Sequence, residues 1–377
     1  MSVTYIPDPT KLCLWGKAAG RCQYDGCNLA LYRDGLTQFE FNKAYIAHII
    51  ADKPGGPRGD PVLSEKLKSD LSNLMLLCDA HHRLVDIADV EGHPVDRLRH
   101  MKDEHEKRIE LVTSIAPDRQ SHIVLYGARI GDHDVPLTFQ KAAAALVPER
   151  SPANPRPIEL SLNNRSISDA ENRYWEMESE HLRRQFQTEV KSRLRPDDIQ
   201  HLSIFGLAPI PLLIELGRLL SDIPATDVFQ LHREPPDWGW QKNPDAFKYE
   251  VGCDGDETSQ TVALILGLSA DVVLDRVRPI VGEQAACWTI THSNPGNDFL
   301  KSREQLQQFR ETLRFVFNEI KKKHGEEAEL HLFPAVPVAC AIEVGRVWMP
   351  KADLPIEVYD QNRSTGGFSR ALRISNT

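Results

Sequence analysis

Tyr45-Ile46-Ala47-His48-Ile49-Ile50, followed by Asn73 and by Cys78-Asp79-Ala80-His81-His82 closing on Asp86, is the stretch on which the reading of this chain turns. Upstream of it stands Cys22-x4-Cys27, and with Cys78-x2-His81 this makes two ligand pairs far apart in sequence. Thiolates plus an imidazole close a tetrahedral zinc shell without redox chemistry, so Cys22, Cys27, Cys78 and His81 are expected to hold a structural Zn2+, with Cys13 as the spare candidate. A small region with few large apolar residues gains much of its stability from such a clamp, because metal binding is then part of folding. The bland alternative is a chance grouping of core cysteines.

His48, Asn73 and His82 have different chemistry. Phosphodiester hydrolysis needs a base to activate water and a cation to stabilise charge on phosphate and leaving oxygen. His48, at the end of the alternating stretch Phe39 to Ile50, is the candidate base. Asn73 is placed to hold the His48 loop by side-chain hydrogen bonds, so that the imidazole presents one nitrogen to water. His82 opens a predicted helix with Asp86 four residues on, on the same face, so both can reach one Mg2+ or Mn2+ ion.

Composition sets the frame. The 377 residues, 41% hydrophobic and 26% charged, suit a multidomain globular protein. No apolar run is long enough for a bilayer span and the N-terminus lacks a secretory pattern, so a cytoplasmic location without membrane contact is expected. The odd seven cysteines make no disulfide framework, and Cys253, Cys287 and Cys340 read as small buried hydrophobes. A net charge of -9 argues against a large basic face for nucleic acid, so DNA contact must be local or gated.

Residues 1–116 form the first domain, ending in a predicted helix from Val95 to Ile115 on the spacing of Leu98, Met101, His105, Ile109 and Val112. Residues 117–122 read as a linker and 123–377 as a larger α/β domain. There, strands at Ile123–Tyr126, Ile158–Leu162, Leu202–Leu207, Asp227–Leu231, Thr261–Leu268, Ala286–Thr291 and Glu329–Phe333 alternate with helices at Asp169–Leu194, Leu212–Leu220 and Ser302–Lys323. Two α/β halves are plausible, yet no repeat is strong enough to prove duplication.

In open α/β sheets ligands bind outside the carboxyl ends of the strands. Proline- and aromatic-rich strings follow several strands: Phe205 to Leu213 with Pro209 and Pro211, His232 to Trp240 with Arg233, Trp238 and Trp240, and His331 to Pro337 with Phe333. Trp238 and Trp240 offer faces for bases, Arg233 and Lys301 charge for phosphates, and Thr291 ends a strand at the same edge.

The first region resembles the HNH (ββα-metal) endonuclease family over roughly Gly20 to Ile109, which implies His48 as base, Asn73 as orienter and His82 as metal ligand. Many relatives carry an acidic residue or His where this chain has Ala47, so the second ligand falls to Asp86, with Asp70 behind it. From Ser121 to Thr377 the strings above, with Gly345-Arg346 and Tyr359-Asp360, resemble the SAVED domain, a pair of fused CARF-like Rossmann units that senses cyclic oligonucleotides. The expected fold class is therefore α/β overall, with a small zinc-containing ββα-metal domain followed by a larger SAVED domain.

HNH followed by SAVED is the layout of an effector nuclease of bacterial anti-phage signalling (CBASS). It implies an activator that is a cyclic dinucleotide, such as a cGAMP isomer, homo-oligomerisation to a dimer and then a tetramer on activation, and double-stranded DNA as substrate. The competing readings are a modification-dependent HNH restriction enzyme whose second domain reads DNA directly, and a non-catalytic zinc-finger module. Acidic residues in excess beyond Ser121 disfavour the first.

Overall fold

A computed structural model describes residues 4–127, 137–162, 172–193, 199–221, 225–241, 244–245, 247–256, 258–361 and 367–375. The chain divides into two compact units, Met1–Ala116 and Pro117–Thr377. Among the described residues no helix is long and apolar enough to cross a membrane.

The first unit runs α1 (Asp8–Lys17), β1 (Tyr45–His48), α2 (Leu63–Leu67), β2 (Leu74–Leu77), α3 (Asp79–Arg83) and α4 (Val95–Thr113). β1 and β2 pair antiparallel, with Tyr45 opposite Leu77 and His48 opposite Leu74. β2 is Leu-Met-Leu-Leu and buried on both faces, packing Leu14 of α1 on one side and Leu98 and Met101 of α4 within the same core. The strand expected over Phe39 to Ile50 is confined to β1, because Phe39 and Phe41 are 71% and 48% exposed and bury nothing by alternating. Instead, Arg33 and Glu40 bridge a small hairpin ahead of it.

The second unit holds β3 (Gln120–Gly127), α5 (Phe139–Leu146), β4 (Ser151–Pro152), β5 (Ile158–Ser161), α6 (Asn172–Gln185), β6 (Leu202–Leu207), α7 (Ile210–Leu220), β7 (Thr226–Phe229), β8 (Glu250–Asp254), β9 (Thr261–Gly267), α8 (Arg278–Val281), β10 (Ala286–Thr291), α9 (Arg303–His324), β11 (Glu329–Ala335), α10 (Val338–Val347), β12 (Ile356–Gln361) and β13 (Phe368–Ile374). β3 begins inside the expected 117–122 linker, since Ser121 and His122 are buried and already paired across the sheet. The predicted helix over Asp169–Leu194 is observed as α6 and a widened continuation through Val190, its first and last positions lying outside the described residues.

Two Rossmann-like sheets result. In one the strand order is β5-β3-β6-β7, all parallel, with the short β4 also beside β3. In the other the parallel order is β10-β9-β11-β12, with antiparallel β8 and β13 at its edges. The central strands, such as Val-Ala-Leu-Ile-Leu in β9, are apolar throughout because helices cover both faces of a parallel sheet. Cys287 and Cys340 are buried as expected, but Cys253 is exposed, because it sits on the solvent-facing edge strand β8.

The register adds to the two α/β halves a repeat that the sequence alone is too weak to prove. Phe205, Pro209, Ile214, Glu215, Gly217 and Arg218 along β6–α7 recur at one constant spacing as Phe333, Pro337, Ile342, Glu343, Gly345 and Arg346 along β11–α10. The copies keep their contacts as well as their letters. Phe205 stacks on Phe229 of β7 at 4.5 Å, and Phe333 stacks on Tyr359 of β12 at 4.7 Å. The buried Glu215 carboxylate accepts from Arg183 at 2.6 Å and Arg218 at 2.7 Å, while that of Glu343 accepts from Arg346 at 2.6 Å and pairs with Arg310 at 3.2 Å.

α7 and α10 cross at the repeated glycines. A Cβ on Gly217 would come within 1.9 Å of the Ile342 carbonyl oxygen, and one on Gly345 within 1.9 Å of the Ile214 oxygen. Neither backbone can yield cheaply, so Gly345→Ala should destabilise the second unit by about 3 kcal/mol. Urea unfolding followed by tryptophan fluorescence checks this, and an unchanged midpoint would refute so close a crossing.

Candidate functional site

In the first unit the zinc candidates converge. The Cys22 amide donates to Leu29 at 2.9 Å, the Cys27 amide donates to Tyr24 at 3.0 Å, and Gly26, at φ +73, turns the chain between them. Cys78 is the N-cap of α3, which places His81 one turn along, facing it. Among the described residues, Cys22, Cys27, Cys78 and His81 are the one group of three or more His, Cys, Asp or Glu whose ligand atoms all lie within 4.8 Å of one another. His81 Nδ1 is 3.2 Å from Cys78 Sγ and 3.6 Å from Cys22 Sγ. Tetrahedral zinc ligands stand about 3.6 Å apart, so the set fits this ion.

The surroundings fit too. The Cys78 amide donates to Cys22 Sγ at 3.3 Å, and the Tyr24 ring stacks on His81 at 4.0 Å. Burial pushes the Cys22 thiol up to about 12 and pulls the His81 imidazole down. A neutral imidazole is ready to ligate, whereas buried thiolates form only beside a cation. Cys13 is exposed on α1 and stands outside the group.

Beside this cluster, β1 delivers His48 next to Asn73. The Ile49 amide donates to the Asn73 carbonyl at 2.9 Å. The Asn73 side chain then closes on Ile50 from both sides, its Oδ1 accepting the amide N–H at 2.8 Å and its Nδ2 donating to the carbonyl at 2.8 Å. Nδ2 also reaches the Leu67 carbonyl at 3.3 Å, so this buried amide leaves none of its groups idle. His48 Nε2 lies 2.8 Å from the Lys68 carbonyl. A carbonyl only accepts, so Nε2 carries the proton and Nδ1 the lone pair.

His82 sits in α3 with the Tyr45 ring stacked on it at 4.7 Å. The chain continues as a widened turn, Leu84–Ala88, which brings Asp86 Oδ2 to 3.4 Å from His82 Nε2. One imidazole nitrogen and one carboxylate oxygen, with side chains 20% and 22% exposed, suit a hard divalent ion that keeps several waters. Asp70, the second choice, is committed elsewhere: its Oδ1 caps the turn Leu71–Asn73 by accepting from the Ser72 amide at 2.8 Å and hydroxyl at 2.6 Å.

In the second unit the repeated prolines, Pro209 and Pro337, are the N-caps of α7 and α10 at the carboxyl ends of β6 and β11. Gln230, just after β7, accepts from the Ala339 amide at 3.1 Å, linking the two halves there. Pro211 is buried in the first turn of α7.

Residues 182–374 match the family described as SAVED, the SMODS-associated and fused to various effectors sensor domain. This chain belongs to the SAVED family. Among solved structures it is similar to the Acinetobacter baumannii Cap4 SAVED/CARF-domain containing receptor with the cyclic trinucleotide 2'3'3'-cAAA, at 11% identity and TM-score 0.43, covering 76% of this chain and 61% of that one. The same receptor with 3'3'3'-cAAA gives 12% identity and TM-score 0.44, covering 78% and 66%. The Moraxella osloensis Cap4 receptor gives 11% and 0.38, covering 84% and 70%. The chain thus spans less than two thirds of the first two. No curated protein matches it.

Several ligand candidates in the SAVED unit are corrected. Trp238 is fully buried, edge-on to Phe205 at 5.2 Å, and Phe333 is fully buried under Tyr359; both rings are core and offer no face to a base. The Thr291 hydroxyl donates to the Gly267 carbonyl at 2.9 Å and ties β10 to β9. Lys301 is paired with Asp298, which neutralises it. Arg233 is exposed, and Trp240 is half-buried on a cavity of about 770 Å³. Glu149, Asp237, Asp245 and Glu304 outnumber Arg303 in that lining, which is poor ground for a phosphate.

Sequence reasoning missed Arg58 in the first unit. Its guanidinium donates to the Ile49 carbonyl at 2.8 Å, the Val85 carbonyl at 2.8 Å and Asp86 Oδ1 at 2.5 Å. Only the positive φ of +57, flanked by Gly55, Gly56 and Gly59, marks the position as special, and no sequence pattern reports it.

Proposed function

We propose that this chain is a metal-dependent DNA endonuclease of a CBASS anti-phage system, held dormant until a cyclic oligonucleotide, by preference a dinucleotide, binds its SAVED unit and drives self-association. The first unit is read as an HNH (ββα-metal) nuclease and the second as its sensor. The observation that carries the catalytic half is the Asn73 amide clamped on Ile50 next to a His48 whose Nε2 is tied to the Lys68 carbonyl. A lone histidine on a strand end needs no such double restraint.

Nδ1 of His48 takes the proton from a water molecule, which attacks the scissile phosphorus while the bond to the leaving oxygen breaks. The Lys68 carbonyl keeps Nε2–H in place and stabilises the imidazolium that forms. His82 and Asp86 would hold a Mg2+ or Mn2+ ion, which supplies charge stabilisation to the phosphate and leaving oxygen. The gate has a thermodynamic basis: a ligand shared by associating protomers ties assembly to its own concentration, and paired single-site nuclease units cut both strands.

Plasmid cutting and particle size, measured with Mn2+ and a panel of cyclic di- and trinucleotides, test this reading. One or a few ligands should raise both together. Strong cutting by the ligand-free monomer would overturn the gate, and activation by a trinucleotide alone would overturn the ligand size.

A further inference from the structure

Arg58 lies between β1 and α2, in no element, yet its side chain is only 6% exposed. Its three nitrogens are spent on two separate parts of the first unit. Nε reaches Ile49 and Nη2 reaches the His48 carbonyl at 3.4 Å, on the strand that carries the base. Nη1 reaches Val85, and Nη2 also reaches Asp86 Oδ1, on the turn after His82. The backbone sits at φ +57, a region that costs a side-chain-bearing residue about 1 kcal/mol or more and persists only where the surroundings fix it.

The consequence concerns Asp86. With Oδ1 fixed by Arg58, its remaining oxygen Oδ2 is turned to His82 Nε2 at 3.4 Å. Ligating carboxylates need such an outer partner, because a free carboxylate rotates. A lysine could not replace the guanidinium, whose planar fork alone spans carbonyls and carboxylate at once.

We propose, building on the nuclease reading, that Arg58 is the positioning residue of the cleavage site: it aims Asp86 at the divalent ion and locks the base strand to the ion-holding turn. It touches neither water nor phosphate in this role.

Mn2+ titration of the full chain, followed by the electron paramagnetic resonance of the free ion, tests this beside DNA cutting with activator present. Arg58→Lys and Arg58→Ala should weaken Mn2+ binding about 10- to 100-fold while zinc content stays at the wild-type level. Cutting by Arg58→Lys should stay depressed even at saturating Mn2+, because the His48 strand has lost its staple as well. Asp86→Asn should weaken the ion at least as much as Arg58→Lys does. Unchanged or tighter Mn2+ binding in both Arg58 variants overturns the proposal, as does a wild-type chain that binds no Mn2+. A wild-type chain that binds Mn2+ with this rank order, but cuts no DNA under any activator, leaves the clamp standing and removes the nuclease reading.

Discussion

His48→Ala should lower activated DNA cleavage by about 1000-fold, the range that loss of a positioned general base produces. The size of the effect follows from how little else in the site can replace the imidazole. His48 is buried, its Nε2 is held by Lys68, and the backbone beyond it is clamped by Asn73, so no neighbouring group can swing into its place. Asn73→Ala acts differently. It leaves the base present but strips the Ile50 amide and carbonyl of their partners in a buried setting, a cost of about 1–3 kcal/mol per group that falls on stability as well as rate. The two variants therefore separate: His48→Ala loses cutting with the smaller loss of stability, since one part-buried bond to Lys68 goes, whereas Asn73→Ala loses cutting and more stability, since two buried partners of Ile50 go. Plasmid nicking with calorimetry on the same samples reads this, and cleavage by His48→Ala within a few-fold of wild type would remove the base assignment.

The parts of this molecule that were legible in the sequence are those whose signal is local. α4 is marked by Leu98, Met101 and His105 on one face, and the central strands by apolar runs between prolines and glycines. The four zinc candidates were legible because thiols and imidazoles are rare and cluster at short spacings. Arg58 was not, since its acceptors at 48, 49, 85 and 86 meet it only in three dimensions. The duplication was hidden for a related reason: six matching residues are scattered among unrelated ones, and their equivalence rests on shared contacts such as the two Phe stacks and the two buried Glu–Arg pairs. Trp238 misled because an indole after a strand looks the same in a string whether it faces solvent or packs under Phe205.

Removing the zinc that Cys22, Cys27, Cys78 and His81 are expected to hold should have the other large effect, the loss of the first unit's fold. Apparent zinc binding in such knuckles amounts to about 10–16 kcal/mol at neutral pH, while a whole domain is stable by only about 5–15 kcal/mol. The ligands join a hairpin without regular strands, which carries Cys22 and Cys27, to the start of α3 directly after β2. Apart from them the hairpin is held to β2 by Gln23, whose backbone amide donates to the Leu76 carbonyl at 2.9 Å and whose Oε1 accepts the Leu76 amide at 2.7 Å. Without the ion, Cys22 and Cys78 are buried thiols facing one imidazole, and the hairpin is left with its Gln23–Leu76 hydrogen bonds to β2 and no tie to α3 through the ligands. Cys78→Ser, or treatment with a strong chelator, should therefore abolish the melting transition of the first unit and release one zinc per chain, while the SAVED unit, with its own core from Val124 to Ile374, keeps its transition. Cys13→Ser should change nothing, because that thiol is exposed and outside the cluster. Stoichiometric zinc loss with both transitions intact would show that the apolar packing around Leu14, Met75 and Leu98 carries the fold unaided, and the metal would then be a passenger in its own site.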